Sequence, residues 1–153
     1  MKNGIIGGLI AGLIFVLIEM ILVPTVGGGS AFGPPRMMAA IAMGEDVLPP
    51  PATFELGIFM VGMLVHFALS AVLGVIFALL ISRFSMAFTG KVFAGIAFGL
   101  LVYLVNFYGL TAVFPWFEMA RNLITVFAHL VFGGVLGFWM SAKSKREADK
   151  SPI

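Results

Sequence analysis

Four long apolar runs alternate with short polar or proline-rich connections along the chain. The runs cover residues 4–23, 55–82, 91–112 and 118–141. Each is long enough to cross a bilayer, because about 20 apolar residues in a helix span roughly 30 Å of hydrocarbon. The pattern therefore predicts an all-α membrane protein: a four-helix transmembrane bundle followed by a polar cytoplasmic tail over 142–153.

The connection between the first two runs predicts one more helix, on the outer side of the membrane. Pro34 and Pro35 suit a helix start, and Gly44 suits a helix stop. We expect a short helix over about 35–43, lying at the interface or tucked back over the bundle. Thr53 then follows three prolines and is placed to cap the second spanning helix.

The second and fourth runs resemble each other in sequence. "FELGIFMVGMLVHFALSAVLG" (Phe54–Gly74) aligns without a gap on "FEMARNLITVFAHLVFGGVLG" (Phe117–Gly137). The only two histidines of the chain, His66 and His129, coincide in this alignment. The coincidence indicates an internal repeat.

The first and third runs align more weakly, and their alignment pairs Glu19 with Asn106. We therefore predict two copies of a helical hairpin, one over about 4–82 and the other over about 91–141. Because each copy has an even number of spans, the two are parallel and related by an approximate twofold axis along the membrane normal. The glycine-rich faces of the first and third spans exceed what one small bundle needs, which favours partner helices.

Composition supports lipid as the solvent and excludes several classes of protein. The chain has 153 residues, of which 61% are hydrophobic and 10% charged, and its mean hydropathy is +1.12. A small soluble domain cannot bury so much apolar surface. The net charge of +2 is too small and too widely spread for nucleic-acid binding, and the absence of cysteine excludes disulfides, thiolate metal sites and iron–sulfur clusters.

The basic residues predict the orientation in the membrane. Lys2, Arg83, Lys91 and four basic residues of the tail fall on one side of the predicted bundle. The other side has Arg36 and Arg121, diluted by acidic residues. Because basic residues are retained in the cytoplasm, both termini are expected to be cytoplasmic.

Four polar residues inside the apolar runs are the candidate site. His66 and His129 lie on helix faces where small residues recur every four positions, so both are predicted to face the packed interior. Glu19 and Asn106 lie about one turn inside the outer ends of their runs. Ionisable groups at such depths usually face a partner, water or a ligand. We therefore predict a ligand, metal or haem site formed by these four residues.

The remaining polar residues near the outer surface form a secondary group. Glu55 and Glu118 are expected in the first turns of their helices, where a carboxylate complements the helix dipole. Arg121 can pair with Glu118, three residues before it. Arg36 can reach an outer carboxylate or a lipid headgroup, and Asn122 completes the group. The ten methionines are scattered and predict packing rather than a ligand cluster.

Three uses of the four-residue site are chemically reasonable. Two imidazoles from facing helices can bind haem b axially. Joined by Glu19 and Asn106, they can instead ligate zinc, copper or iron. Glu19 and the histidines can also form a proton relay or a quinone-linked relay, since histidine titrates near physiological pH.

The motifs "FGPPRMMAAIAMG", "VLPPPATFE" and "NFYGLTAVFPWFEMARN" resemble a family of small uncharacterised bacterial four-span inner-membrane proteins. The resemblance covers about residues 4–141. Some members of that family carry a sodium:proline symporter label, but genuine symporters of that type are several times longer than this chain. The resemblance therefore implies a bacterial inner (plasma) membrane location and supplies no active residues.

These observations lead to one functional hypothesis and two alternatives. The leading hypothesis is a small integral membrane subunit, non-catalytic alone, that associates with itself or with a larger complex, such as a respiratory one, and holds a ligand at the histidine site. The first alternative is a haem-b or metal electron carrier. The second is a proton-coupled transporter of small solutes that acts as an oligomer. The sequence has no phosphate-binding glycine loop, no HExxH motif and no nucleophile–base set, so we do not expect a hydrolase or a kinase.

Overall fold

The computed structural model describes the backbone of residues 1–148 and the side chains of residues 1–142. The described residues form short 3-10 and π-helical turns and five α-helices, and they contain no strand. The α-helices are α1 (Lys2–Thr25), α2 (Gly33–Met43), α3 (Leu56–Ile81), α4 (Phe88–Leu104) and α5 (Leu123–Ala148).

Four segments are long and apolar enough to cross a membrane, which confirms the predicted all-α membrane class. These spans are Lys2–Thr25, Leu56–Ile81, Phe88–Ala112 and Leu123–Ala142. The third span is not a uniform α-helix, because α4 is followed by a π-helical turn at Val105–Gly109.

The fourth span begins five residues later than predicted from the apolar run, at Leu123 rather than at 118. Pro115–Ala120 forms a separate 3-10 helix instead, and Arg121 leaves helical geometry with ψ 75°. At the other end, α5 continues to Ala148, into the segment predicted as a polar tail. Residues 149–153 of that tail lie outside the described residues.

The predicted outer helix is present as α2. Gly44 ends it with a φ of 88°, a backbone conformation that glycine adopts without steric cost. The predicted cap of α3 was wrong: the N-cap position is held by Glu55, and no side chain caps the helix there. Thr53 lies two residues too early, and its carbonyl accepts a hydrogen bond from the Arg36 guanidinium.

The spanning helices are arranged in the order α3, α1, α5, α4 around the bundle. α1 packs along both α3 and α5, and α4 packs along α5, whereas α3 and α4 hardly touch each other. α2 packs against α3 at the end of the bundle away from both termini, which we call the outer end. The bundle is therefore open along one side, between α3 and α4.

Glycines bring the paired helices into backbone contact. Gly8 of α1 lies against the backbone of Ser70 in α3. Gly95 and Gly133 bring α4 and α5 together in the same way, so a Cβ added at either would meet the carbonyl group of the other. Close approach of this kind is a standard way to join helices in lipid. Because the bundle itself uses these glycines, they no longer indicate partner helices.

Apolar side chains fill the interior on both sides of the histidine level. Between that level and the termini, the buried residues are Ala11, Phe77, Ile81, Phe98, Val102, Phe132, Leu136 and Met140. Toward the outer end, an aromatic cluster is formed by Tyr103, Phe107 and Phe117 with Ala120.

Replacing Gly95 with alanine should loosen the contact between α4 and α5. The new methyl group would press on the Gly133 carbonyl, and overpacking of this kind costs about 1–3 kcal/mol. The free energy of unfolding in detergent, measured by titration with a denaturant, checks this. Gly57→Ala is the matched control: nothing lies within 4 Å of a Cβ there, so stability should be unchanged or slightly raised. Equal stability of the two variants would contradict the close contact.

Candidate functional site

Both histidines lie inside the bundle, on the helices that the sequence assigned to them. His66 of α3 is 8% exposed and His129 of α5 is 5% exposed. The aromatic ring of Phe15, on α1, contacts both imidazoles, with ring centroids 5.5 Å from His66 and 4.8 Å from His129. The two rings are therefore bridged by an apolar side chain.

Each imidazole is fixed by one hydrogen bond to a backbone carbonyl. Nε2 of His66 lies 2.9 Å from the carbonyl oxygen of Gly12, and Nδ1 of His129 lies 2.8 Å from that of Thr125. A carbonyl oxygen only accepts, so these ring nitrogens donate. In the neutral rings, Nδ1 of His66 and Nε2 of His129 then keep their lone pairs as acceptors or ligands.

A cavity of about 370 Å³ lies between α3 and α4, and we call it the lateral groove. His66, His129 and Asn106 all line it. Leu69 and Val72 also line it and are about half exposed, so they form its mouth on the lipid-facing side of the bundle. Five aromatic rings complete its walls: Phe15, Phe107, Phe114, Phe117 and Phe132.

A second, smaller cavity of about 40 Å³ lies next to the groove, and we call it the Glu19 cavity. Glu19 is only 5% exposed, and its Oε1 atom has no hydrogen-bond partner. Thr125 and His66 share the walls of this cavity with Glu19. A buried carboxylate oxygen without a partner is uncommon and requires a physical explanation.

The four predicted site residues are therefore divided between two cavities. His66, His129 and Asn106 meet at the lateral groove, while Glu19 lies in the neighbouring cavity. His66 lines both. Glu19 and Asn106 occupy matching places in the sequence alignment but have different surroundings.

The bis-histidine haem expected as one alternative does not fit these residues. The Phe15 ring lies against both imidazoles, where a porphyrin would have to enter. Within the described part of the chain, no three His, Asp or Glu side chains group in a way that could hold a metal ion. The predicted metal site built from the histidines, Glu19 and Asn106 therefore has no support.

Arg36 anchors the outer connection. Its side chain is buried, and its NH1 group donates to the carbonyl of Val47 over 2.7 Å. The guanidinium also donates to the carbonyl of Thr53 and forms an ion pair with Glu55. These bonds hold α2 and the following loop against the start of α3.

The other secondary polar residues stabilise the turn before α5. Arg121 pairs with Glu118 over 3.3 Å, donates to the carbonyl of Phe107 over 2.6 Å and lies above the Tyr108 ring. Asn122 caps α5, because its Oδ1 accepts the backbone N–H of Thr125 over 3.0 Å. Glu118 is not in the first turn of α5, because it belongs to the preceding 3-10 helix.

Sequence reasoning missed most of the apolar lining of the two cavities, including Phe15 and three methionines. Phe15 had no polar signal, and Met37, Met38 and Met63 were assigned to packing. The methionines come from α2 and α3 and meet only because α2 folds back over the outer end. No spacing in the sequence indicates this contact.

Comparison of the chain with models of known protein families, with curated proteins and with solved structures found no match. The function is therefore inferred from the geometry of the two cavities.

Replacing Arg36 with methionine should free the outer connection while leaving the spans intact. The change removes the ion pair with Glu55 and leaves the buried Val47 carbonyl unpaired, at a cost of about 1–3 kcal/mol. Hydrogen exchange should rise over residues 33–55 and stay unchanged in α5. Arg83→Met, at an exposed position in the α3–α4 turn, is the control. Exchange that rises equally in both variants would contradict the anchoring role.

Proposed function

We propose that this chain is a small integral membrane protein that binds a lipid-soluble molecule in the lateral groove. The ligand would have an aromatic or planar head group that carries hydroxyl or N–H donors, and an apolar tail that extends into the bilayer. A hydroquinone is a common membrane compound with this chemistry. The observation that carries the proposal is a 370 Å³ groove whose polar lining includes two imidazoles with free acceptor nitrogens.

The size and character of the groove agree with a small-molecule site. Ligand pockets in proteins usually measure about 300–1,000 Å³ and are mainly apolar, with a few placed polar groups. The groove has that volume, and its polar residues are few. Its mouth at Leu69 and Val72 opens toward lipid, so a ligand could enter directly from the bilayer.

The polar groups of the groove favour a ligand that donates hydrogen bonds. The backbone bonds of the imidazoles leave acceptor nitrogens on both, and the amide of Asn106 can accept or donate. A buried acceptor gains most when a donor reaches it, since the alternative in lipid is to stay unpaired. The surrounding phenylalanine rings suit a flat head group, because aromatic rings stack with an offset or pack edge to face.

A subunit role is still proposed, but the groove now supports it instead of the glycine faces. The glycine faces that suggested partner helices are used within the bundle, so they no longer support association with a larger complex. What supports a binding role is the groove. In this view the chain presents or holds its ligand for a membrane complex or for a second copy, without catalysing a reaction alone.

We also propose that the bundle consists of two copies of one helical hairpin. Gly12 of α1 lies against the side chains of His66 and Ser70, and Gly99 of α4 lies against the backbone of His129. Gly8 and Gly95 make the preceding contacts one turn earlier in each helix. These contacts pair positions that the repeat alignment makes equivalent, which supports duplication. The histidine hydrogen bonds differ, since only His66 bonds across to the neighbouring helix.

The proposed ligand can be tested with decylhydroquinone and its dimethyl ether, which has the same ring but no hydroxyl donors. In lipid nanodiscs, the wild-type protein should bind decylhydroquinone about three- to tenfold more tightly than the ether, as expected for one or two hydrogen bonds. His129→Phe and Asn106→Leu should remove that preference. Tryptophan fluorescence quenching gives the dissociation constants.

A steric block distinguishes the groove from non-specific partitioning into lipid. Leu69→Trp places an indole in the mouth and should abolish binding of decylhydroquinone. Leu79→Trp, also about half exposed on α3 but outside the groove, should bind like the wild type once its fluorescence is calibrated. Equal binding of the hydroquinone and the ether, or unchanged binding in Leu69→Trp, would overturn the proposal.

We further propose a location in the bacterial inner membrane, with both termini in the cytoplasm. The chain has no cysteine, so single cysteines can report on topology. Glu45→Cys, exposed after α2, should react with a membrane-impermeant maleimide added to intact spheroplasts. Ser85→Cys, exposed in the α3–α4 turn, should react only after the membrane is opened. The opposite pattern would reverse the orientation.

A further inference from the structure

We infer that the Glu19 cavity is a binding site for one soft monovalent cation such as Cu(I). Methionine thioethers would hold the cation beside the Glu19 carboxylate. The site adjoins the proposed ligand site of the lateral groove and shares His66 and Met38 with it. Three methionine side chains line the cavity: Met37 and Met38 of α2, and Met63 of α3. Glu19 of α1 and His66 of α3 complete the set of possible ligands.

Glu19 lies buried in the wall of this cavity. The residue is only 5% exposed, and its Oε1 atom has no hydrogen-bond partner. A carboxyl group in that position either keeps its proton or, when ionised, needs a cation or several donors to balance the cost of its desolvation. Within the described residues, the ion pairs of the chain involve Arg36 with Glu55 and Arg121 with Glu118, so neither arginine is paired with Glu19.

The donor atoms in the cavity wall determine which kind of cation it can bind. Hard cations such as Ca²⁺ and Mg²⁺ take about six or more oxygen ligands. Glu19 and Thr125 are the residues of the cavity wall that carry side-chain oxygen, which is too few. Thioether sulfur, by contrast, selects Cu(I) among biological metals.

Three helices, α1, α2 and α3, bring the donor residues together. Met63 and His66 are three residues apart on α3, so they share one face of that helix. Because Nε2 of His66 donates to Gly12, Nδ1 has a lone pair that can bind a metal in this cavity or accept from a ligand in the groove, one at a time. Met37 and Met38 approach from α2, whose residues Pro34 and Pro35 also line the cavity.

The volume of the cavity and its position in the bundle limit what can enter it. A water molecule needs roughly 10–15 Å³ of accessible volume, so a cavity of about 40 Å³ admits a single bare ion but not a larger cofactor. The cavity lies beneath α2 at the outer end of the bundle. An ion would therefore enter from that end, past the proline-rich start of α2.

Ag(I), which has the coordination preferences of Cu(I) without its redox chemistry, is the probe for the test. Titration of the purified full-length protein in nanodiscs, followed by calorimetry, should give one Ag(I) bound per chain. Met63→Leu and the double variant Met37→Leu/Met38→Leu should each weaken binding about 10- to 100-fold or more, the range seen for disrupted metal environments. Leucine conserves the volume of methionine, so these variants should fold normally.

Two control variants show whether the effect belongs to this cavity. Met60→Leu, one turn before Met63 but 59% exposed, and Met119→Leu, which is 66% exposed, should bind Ag(I) like the wild type. Glu19→Gln keeps the shape of the side chain and should weaken binding by removing the charge. Absence of stoichiometric binding in the wild type, or equal affinity in Met63→Leu and Met60→Leu, would overturn the inference. Neither result would overturn the groove proposal, because its hydroquinone preference is tested through His129 and Asn106, which line the groove and not this cavity.

Discussion

Backbone contact between glycine-containing helix faces determines the form of this bundle. In lipid, apolar side chains gain little by leaving the solvent, so helices associate where their backbones can approach and pack closely. Such faces join α1 to α3 and α4 to α5. With Gly8 against Ser70 and Gly95 against Gly133, each pair is tight, while α3 and α4 share no equivalent face. The groove between α3 and α4 is therefore a consequence of where the small residues lie.

The same close approach explains which ring nitrogen of His66 donates. Because Gly12 has no side chain, the α1 backbone comes near enough for its carbonyl to accept the Nε2 proton of His66. In α5, His129 turns back to the Thr125 carbonyl of its own helix. Each bond satisfies one ring nitrogen and leaves a lone pair on the other, but only the His66 bond follows from the contact between helices.

Much of the fold could be predicted from the sequence, because its strongest signals are local. Run length and apolar content identified the spans, and Pro34 and Gly44 marked the outer helix. The start of α5 was missed because the residues around Trp116 and Phe117 are apolar enough to continue a span, while the backbone turns at Arg121. Asn122 before an apolar run is a recognisable cap signal, and giving it more weight would have corrected the boundary.

The site could be predicted only in part, for a different physical reason. A buried histidine or glutamate is recognisable in sequence because its burial is costly, and this identified His66, His129 and Glu19. The walls of the Glu19 cavity, by contrast, depend on the position of α2, which no periodicity indicates.

The position of α2 also links the two cavities. Met38 lines both the groove and the Glu19 cavity, as do His66, Phe15 and Phe107. A movement of α2 would therefore change both cavities together.

The buried guanidinium of Arg36 opposes such a movement, because its bonds to the Val47 and Thr53 carbonyls tie α2 to the loop that leads into α3. The ion pair with Glu55 contributes less to this anchor than the carbonyl bonds, since the Glu55 side chain is 57% exposed and exposed ion pairs are weak. The rigidity of both sites thus depends on a buried arginine outside either cavity, in a connection that hydropathy alone would treat as a loop.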